Sequence, residues 1–437
     1  MGMYVALLLA TVVNWSVPLE GPWRFNTGDN LRWADPAFDD RPWATLSLAA
    51  PADANDGDQG ITHYAAGWAA HGYNGYAGFA WYRIRVASVM PAAGDLALLG
   101  PAMVDNAYEI YVDGRLLGGI GDFTRAPPVA YCIRPMKFGL PSGKAPMLIA
   151  VRVWMGAWAA GPRAGGMHVA PVFGNARGVE AAYRSQWFEK IRAFALEIAQ
   201  TLFFVVLALV ALSLIPFDRA KLGLAMLAVA LLLTAAWRAN LTILWLSGIE
   251  SVQAFVHMHL VLLVPITLGA WTLAWCYLFR LREFRWITIL TLALTLLYVC
   301  TEFLRRPAFN GGFLPVLAPA AALASKWDRY AFFALLVFIV YRGFRERGRE
   351  AWFALPAIVS ISIGQFSGEL LALGVPGIWF PFGMGVSLAN YAYLVATPAI
   401  AVLLWSRILA RAAHYDPAAP PASVERNQAP AHSSSTA

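Results

Sequence analysis

Cysteine and charge are both scarce in this chain, and each scarcity removes a class of function. Three cysteines occur in 437 residues: Cys132 stands alone in the first half, while Cys276 and Cys300 fall inside apolar runs. That set supports neither a disulfide framework nor a cysteine-based metal site. Charged residues make up 14% of the chain, against ~25% in an ordinary soluble domain. The signatures of common chemistries are missing as well, with no G-x-S-x-G, H-E-x-x-H, P-loop or CxxC. Gly118-Gly119-x-Gly121 lies in a strand–turn setting without a following helix, so it is no dinucleotide loop. His257 and His259 stand two apart, on different helix faces, unlike the i,i+4 spacing of a helical zinc pair. No catalytic residue, cofactor or metal is therefore expected. The net charge of +7 does not mark a nucleic-acid partner, because the arginines cluster at the ends of apolar runs.

What the chain has in quantity is apolar sequence, 59% of all residues. After residue 192 it forms seven runs, at 193–215, 220–238, 255–279, 284–304, 328–344, 352–374 and 380–405. Crossing a bilayer takes ~20 mostly apolar residues, so seven transmembrane helices are expected over 193–405. The fifth run, from Asp328 to Phe344, is the shortest and opens on a charged pair. Eleven Lys and Arg residues fall in the alternate gaps that include Arg280, Arg282, Arg345 and Arg407, against eight on the other side. This bias places the first half outside the cytoplasm and the C-terminus inside it, in the inner (plasma) membrane. Residues 1–17 carry a short apolar segment, YVALLLATVV, of signal-peptide h-region length but without a positive n-region. The tail, 406–437, is rich in Pro, Ala and Ser from Pro417 and is expected to be disordered.

Residues 18–175 read differently. Period-two alternation marks strands at Trp81–Val86, Asp95–Leu99, Tyr108–Val112 and Met147–Trp154, and Asp113-Gly114 is a hairpin turn signal. Many short strands with close turn signals predict an all-β jelly-roll or galactose-binding-like sandwich. Residues 176–192 follow with apolar positions at i, i+3/i+4 spacing (Val179, Ala182, Tyr183, Gln186, Trp187), predicting a helical connector continuous with the first span.

The runs GPWRFNTGDNLRWADPAFDDRPWATL, GYAGFAWYRIRV, VDNAYEIYVDGRLLGGIGDF, LIAVRVW and GGMHVAPVFG, in that order over about residues 20–175, resemble the sugar-binding jelly roll of glycoside hydrolase family 2. That module is an accessory domain and brings no catalytic carboxylates. With the seven runs added, the chain resembles the bacterial seven-transmembrane receptors with diverse intracellular signalling modules. Those receptors usually carry a kinase, cyclase or phosphatase output domain, whereas 32 residues follow Trp405 here. The resemblance thus implies a receptor without an output domain of its own.

Two groups of residues are candidates for binding. Trp68, His71, Tyr73, Asn74 and Tyr76 lie in the Gly-rich loop AAGWAAHGYNGYAGF, where aromatic faces beside short polar groups suit a sugar ring. Aromatics plugging the end of the sandwich core account for the same pattern equally well. Trp81, Tyr82 and Arg83 read as structural, and Asp39-Asp40 as a turn and capping pair. In the second half, Glu197, Gln200, Arg238, His257, His259, Glu302, Gln365 and Glu369 fall in the half of their runs nearest the outer face. Ionisable residues there cost ~2.5–3.5 kcal/mol on insertion scales and are often functional. They would form one polar chamber under the sandwich, although Arg238, His257 and Glu302 also fit simple interfacial positions.

The expectation is a non-catalytic membrane sensor. Its sandwich would bind a carbohydrate or similar extracytoplasmic small ligand, and the helices would relay that state to a separate cytoplasmic signalling protein. The alternatives are a membrane enzyme or transporter using the outer chamber, and the sensory front of a split phosphatase or kinase.

Overall fold

The computed structural model describes residues 14–51, 53–86, 95–140, 146–218 and 220–412. The apolar segment at 1–13 and the Pro/Ala/Ser tail lie outside the described residues. The first half contains β1 (Ser16–Pro18), β2 (Trp23–Thr27), β3 (Ala44–Leu46), β4 (Gly78–Val86), β5 (Leu96–Leu99), β6 (Val104–Asp105), β7 (Ala107–Val112), β8 (Arg115–Ile120), β9 (Lys137–Gly139), β10 (Met147–Met155), β11 (Gly166–Met167) and β12 (Val172–Asn175). A six-stranded sheet runs β3-β2-β4-β10-β7-β8 and faces a four-stranded sheet, β1-β12-β5-β9. The described pairings within both are antiparallel.

Alternation sets which side chains fill the sandwich. In β10, Ile149, Val151, Val153 and Met155 enter the core between the sheets with Tyr82 of β4 and Phe173 of β12. The odd-even partners face outward and are buried too. Trp81 packs with Trp43 and Ala150, and Arg83, fully buried, donates to Asp40 at 2.9 Å and to the carbonyls of Trp33, Asp35 and Phe38. The loop over 28–43 therefore covers the outer face of the larger sheet. Asp39 caps the turn through the Arg41 amide at 3.1 Å, whereas Asp40 is a buried counter-ion to Arg83 and Arg85. The β7–β8 turn falls on Asp113-Gly114, both at positive φ.

The helices follow: α1 (Ala176–Ala193), α2 (Ala195–Leu214), α3 (Lys221–Ser247), α4 (Val252–Phe255), α5 (Val264–Leu278), α6 (Phe284–Leu304), α7 (Ala318–Arg347), α8 (Arg349–Gln365), α9 (Ser367–Ala372) and α10 (Leu388–Ala412). A π-helical stretch, Val256–Leu263, joins α4 to α5. A short hairpin of β13 (Ile378–Trp379) and β14 (Val386–Ser387) precedes α10. Small residues (Ala208, Ala211, Ala228, Ala274) let the helix backbones approach around Phe204, Trp271, Trp275 and Tyr393. Large apolar side chains such as Leu202, Phe203, Leu292, Leu296 and Val402 point outward, as a lipid-facing surface requires.

Among the described residues, five helices are long and apolar enough to cross a membrane: Ala195–Phe217, Lys221–Ser247, Val252–Leu278, Phe284–Leu304 and Leu388–Leu409. The other two expected spans are helical but do not meet that standard. Lys326, Asp328, Arg329 and Arg342 leave α7 only a short uncharged stretch, and α8 has 17 residues before a break at Phe366. The expected continuity between connector and first span also fails. The chain turns at Phe194 (φ −103°, ψ 7°), whose ring is buried and stacked on Trp245 at 5.9 Å.

The sandwich is seated on the helices at α1, at the α3–α4 turn, ahead of α10 and through Trp158, whose ring lies 5.1 Å from that of Phe309 in the loop after α6. Along α1, Val179 packs on Ala97 and Leu99 of β5, and buried Lys190 donates to the Ile133 carbonyl. At the α3–α4 turn, Tyr131 bridges Ser251, and the Val252 amide donates to the Ala130 carbonyl at 2.9 Å. Ahead of α10, the Gly385 amide donates to the Gln59 carbonyl at 3.2 Å.

Candidate functional site

The aromatic loop closes the sandwich. Trp68 is fully buried among core residues, and its indole N–H donates to the Tyr76 carbonyl at 3.3 Å. Tyr73 packs edge-on against Phe25 at 5.0 Å. The Tyr76 hydroxyl donates to the Phe79 carbonyl at 2.5 Å and accepts from the Gly28 amide. His71 and Asn74 are exposed beyond them. These five residues thus present no shared concave face, because the rings that a sugar would stack on are packed into the protein.

The polar residues of the helical half do gather at the sandwich-facing end, but in three separate groups. In the first, Asn390 of α10 donates to Glu197 at 2.7 Å and accepts from Arg238, while Arg238 also donates to Glu197 at 3.2 Å. Gln200 donates to the Asn390 carbonyl at 2.7 Å. All four are buried. In the second, Glu302 pairs with Arg305 and Arg306 and accepts from Ser325 at 2.6 Å. In the third, Arg329 pairs with Glu369 through two nitrogens and donates to the Tyr298 hydroxyl and the Gln365 carbonyl. His257 lies beside Phe303 and belongs to none of them. His259 accepts from the Trp237 indole at 2.6 Å, which makes its other nitrogen the donor to Asn240 at 3.3 Å. Asn240 in turn donates to Glu250. Among the described residues no cluster of three or more metal-type ligands occurs.

Sequence reading missed Asn390, Arg329 and Tyr298 among these participants. Asn390 is an uncharged residue inside the last apolar run that the structure places in the first turn of α10, and Arg329 reads as a gap residue until α7 is seen to begin at Ala318. Asp328 beside it is buried as well. A polar residue in the first turns of the last run was the one available signal for Asn390.

Among the described residues, a concave surface of the sandwich lies at its junction with α1. A cleft of about 360 Å³ is lined by Glu20, Thr62, His63, Ser185, Gln186 and Glu189. A smaller recess beside it, about 40 Å³, is lined by Gln59, Gln186 and Arg192. Gln59 Oε1, Gln186 Oε1 and Arg192 Nε are buried there without a hydrogen-bond partner, a shortfall that folded proteins rarely leave. One wall is the loop 56–63, whose turn is held by Asp56 accepting the Gln59, Gly60 and Ile61 amides. The other wall is α1. Nearby, burial pushes the Lys190 ammonium down to about 8 and the Cys132 thiol up to about 12.

Both walls lead to the same buried group. The loop holds Gly385 through Gln59, and β14 then enters α10, where Ser387 Oγ accepts the Asn390 amide at 3.1 Å. The α1 helix runs through Phe194 into α2 and Glu197. The two routes meet at the Asn390–Glu197 hydrogen bond.

No protein-family model matches this chain, and no curated protein does. Among solved structures it is similar to beta-glucuronidase 2 of Bacteroides uniformis covalently bound to cyclophellitol-6-carboxylate aziridine, at 19% identity over 37% of this chain and 18% of that one, TM-score 0.27. A glycosyl hydrolase family 2 member from Bacteroides cellulosilyticus matches at 19% identity over 37% and 20%, TM-score 0.26. Bifidobacterium dentium beta-glucuronidase complexed with coumarin-3-O-glucuronide matches at 16% identity over 37% and 30%, TM-score 0.24. This chain spans less than a third of the length of each of these, and a likeness so slight assigns neither activity nor ligand.

Proposed function

We propose that the chain is a membrane sensor in which a small hydroxyl-bearing ligand, of the sugar class, binds in the cleft between the sandwich and α1. The helices, seven in this reading, cross the membrane with the sandwich on the extracytoplasmic side. A change in cleft width is relayed to a separate cytoplasmic signalling protein. The sensor reading needs no catalytic step and no cofactor. One observation carries it: the two walls of the cleft converge on one buried group, in which Asn390 donates to Glu197 and Gln200 donates to the Asn390 carbonyl. A ligand that alters the distance between loop 56–63 and α1 would load that group. The unpartnered amide oxygen of Gln186, which lines the cleft, supplies an acceptor for a hydroxyl group, and Gln59 Oε1 and Arg192 Nε offer a further acceptor and a donor in the small recess beside it.

The test is a thermal-shift screen of the full chain in detergent against mono- and disaccharides and small polar metabolites. Saturable stabilisation that follows one-site linkage, and that Gln186→Leu removes, supports the reading. Stabilisation that survives Gln186→Leu unchanged would place the ligand elsewhere and overturn it, as would a fully folded protein that responds to nothing in the panel.

A further inference from the structure

A second concave space lies inside the helical half. A cavity of about 210 Å³ sits among α3, α5, α7, α8, α9 and α10, lined by Trp237, Thr267, Leu268, Arg329, Gln365 and Tyr393 among others. It falls between the Glu197 group and the Arg329 group. The Arg238 guanidinium lies 5.7 Å from the Trp237 and Tyr393 ring centroids, on the side toward the first.

The chemistry of its wall is specific. Thr267 and Tyr393 are almost wholly buried, at 3% and 0% exposure. Yet Thr267 Oγ1, the Tyr393 hydroxyl and the Gln365 side-chain nitrogen have no hydrogen-bond partner in the protein. All three line the same cavity. Folded proteins rarely leave a buried polar group unmet, so three around one space mark a place for a bound group. The charge at the wall is not on offer, because every guanidinium nitrogen of Arg329 already has a partner in Glu369, Tyr298 or the Gln365 carbonyl. An ion entering would lose its hydration without gaining a counter-charge. Apart from Ser367 and the glycines at 364 and 368, the rest of the wall is apolar or aromatic: Val264, Leu268 and the Trp237 ring. An apolar cavity of about 150 Å³ holds one benzene ring, which sets the size here at one ring with a short substituent.

We propose that this cavity binds an uncharged, single-ring or short-chain molecule carrying one hydroxyl or amide group. The polar group of the molecule meets Thr267, Gln365 and Tyr393, and its apolar body lies against Trp237 and Leu268. Gly368 is exposed at the rim and lines the cavity, so entry is past α9. The site also has a line to the sandwich. Trp237 donates to His259, His259 donates to Asn240, and Asn240 donates to Glu250. Glu250 adjoins Ser251, which is bridged to Tyr131 of the sandwich. The inference does not rest on the junction cleft, and either can fail without the other.

The test uses the full chain in phosphatidylcholine nanodiscs with para-fluorophenethyl alcohol as the probe, followed by fluorine NMR. The expected result is saturable one-site binding, displaced by phenethyl alcohol at concentrations at least about fivefold lower than by ethylbenzene or phenylacetate, one hydrogen bond's worth of discrimination. Thr267→Val, which keeps the shape and removes the hydroxyl, should weaken binding roughly five- to tenfold. A Cβ at Gly368 would meet nothing within 4 Å, so Gly368→Leu blocks the rim with an unchanged melting temperature and abolishes the saturable component. Absence of saturable binding to the wild type, equal displacement by ethylbenzene, or binding that survives Gly368→Leu each overturns the proposal.

Discussion

At the scale of single residues, the buried Glu197–Arg238–Asn390 group is where substitution should tell most. Asn390→Leu leaves the ion pair but removes the hydrogen bonds that Asn390 makes to both partners. A loss of about 1–3 kcal/mol is expected. Glu197→Gln retains an acceptor for Asn390 and strips Arg238 of its counter-ion, so about 3–5 kcal/mol is expected. Unfolding of the purified chain by a denaturing detergent, compared across both variants, checks the order. Equal losses would mean that Arg238 does not depend on Glu197 for its burial. Lys190 gives a pH dependence with a worked sign. Its ammonium loses its proton at about 8 in the fold and near 10.5 unfolded, so the unfolded chain holds the extra proton between those values. Stability therefore rises with pH above about 8. Cys132, close by and pushed up to about 12 from 9.0, acts in the opposite sense above 9. The melting temperature of the full chain should climb between pH 8 and 9 and then level. Lys190→Met should remove the climb, and Cys132→Ala should let it continue toward 10.5.

Among the elements, the ones legible in sequence are those whose pattern is dictated by two unlike faces. Both β4 and β10 alternate because each separates a dry inter-sheet core from an outer layer, so Trp81–Val86 and Met147–Trp154 stand out by period alone. The structure extends them only to Gly78–Val86 and Met147–Met155. The break at Phe194 had no such signal. Neither proline nor glycine marks it, and the turn follows from the stacking of Phe194 on Trp245, fifty-one positions away. The loop 56–63 was silent for a similar reason, since its role lies in a main-chain contact with Gly385 rather than in a side chain. That contact yields a test with an internal control. Gly57 and Gly60 both have positive φ, but a Cβ at Gly57 would meet nothing within 4 Å, whereas one at Gly60 would run into the Gly383 carbonyl. Alanine at either position should cost about 1–2 kcal/mol of backbone strain. Only Gly60→Ala should also speed hydrogen exchange at residues 383–387, because it alone pushes the loop off α10. Equal exchange in both variants would show that the loop does not hold that segment.

For the whole molecule, the division into a sandwich and an apolar helical region was open to reading because composition changes abruptly near residue 192. The candidate site was far less legible. The chamber residues were found one by one through their charge or polarity in apolar runs, but their partition into three groups depends on Asn390 and Tyr298, which carry no charge, and on Arg329, which stands at the very edge of its run. The aromatic loop misled in a physical sense: tryptophan and tyrosine close a sandwich for the same reason that they would grip a sugar, their large apolar faces. The junction with α1 is where the two halves become one object. Val179 is 1% exposed against β5, and Glu180 pairs with Lys137 of β9. The α1 helix belongs to the sandwich as much as to the helices that follow. A fragment ending at 192 should therefore melt above one ending at 175. Burying Val179 is worth about 1.5–2 kcal/mol, and in a domain of this size each kcal/mol moves the midpoint by about 2–4 °C. A difference of about 3–8 °C is therefore expected between fragments 14–192 and 14–175 by circular dichroism. Coincident melts would mean that α1 only rests on the sheet, and a cleft with one loose wall could not transmit what it binds.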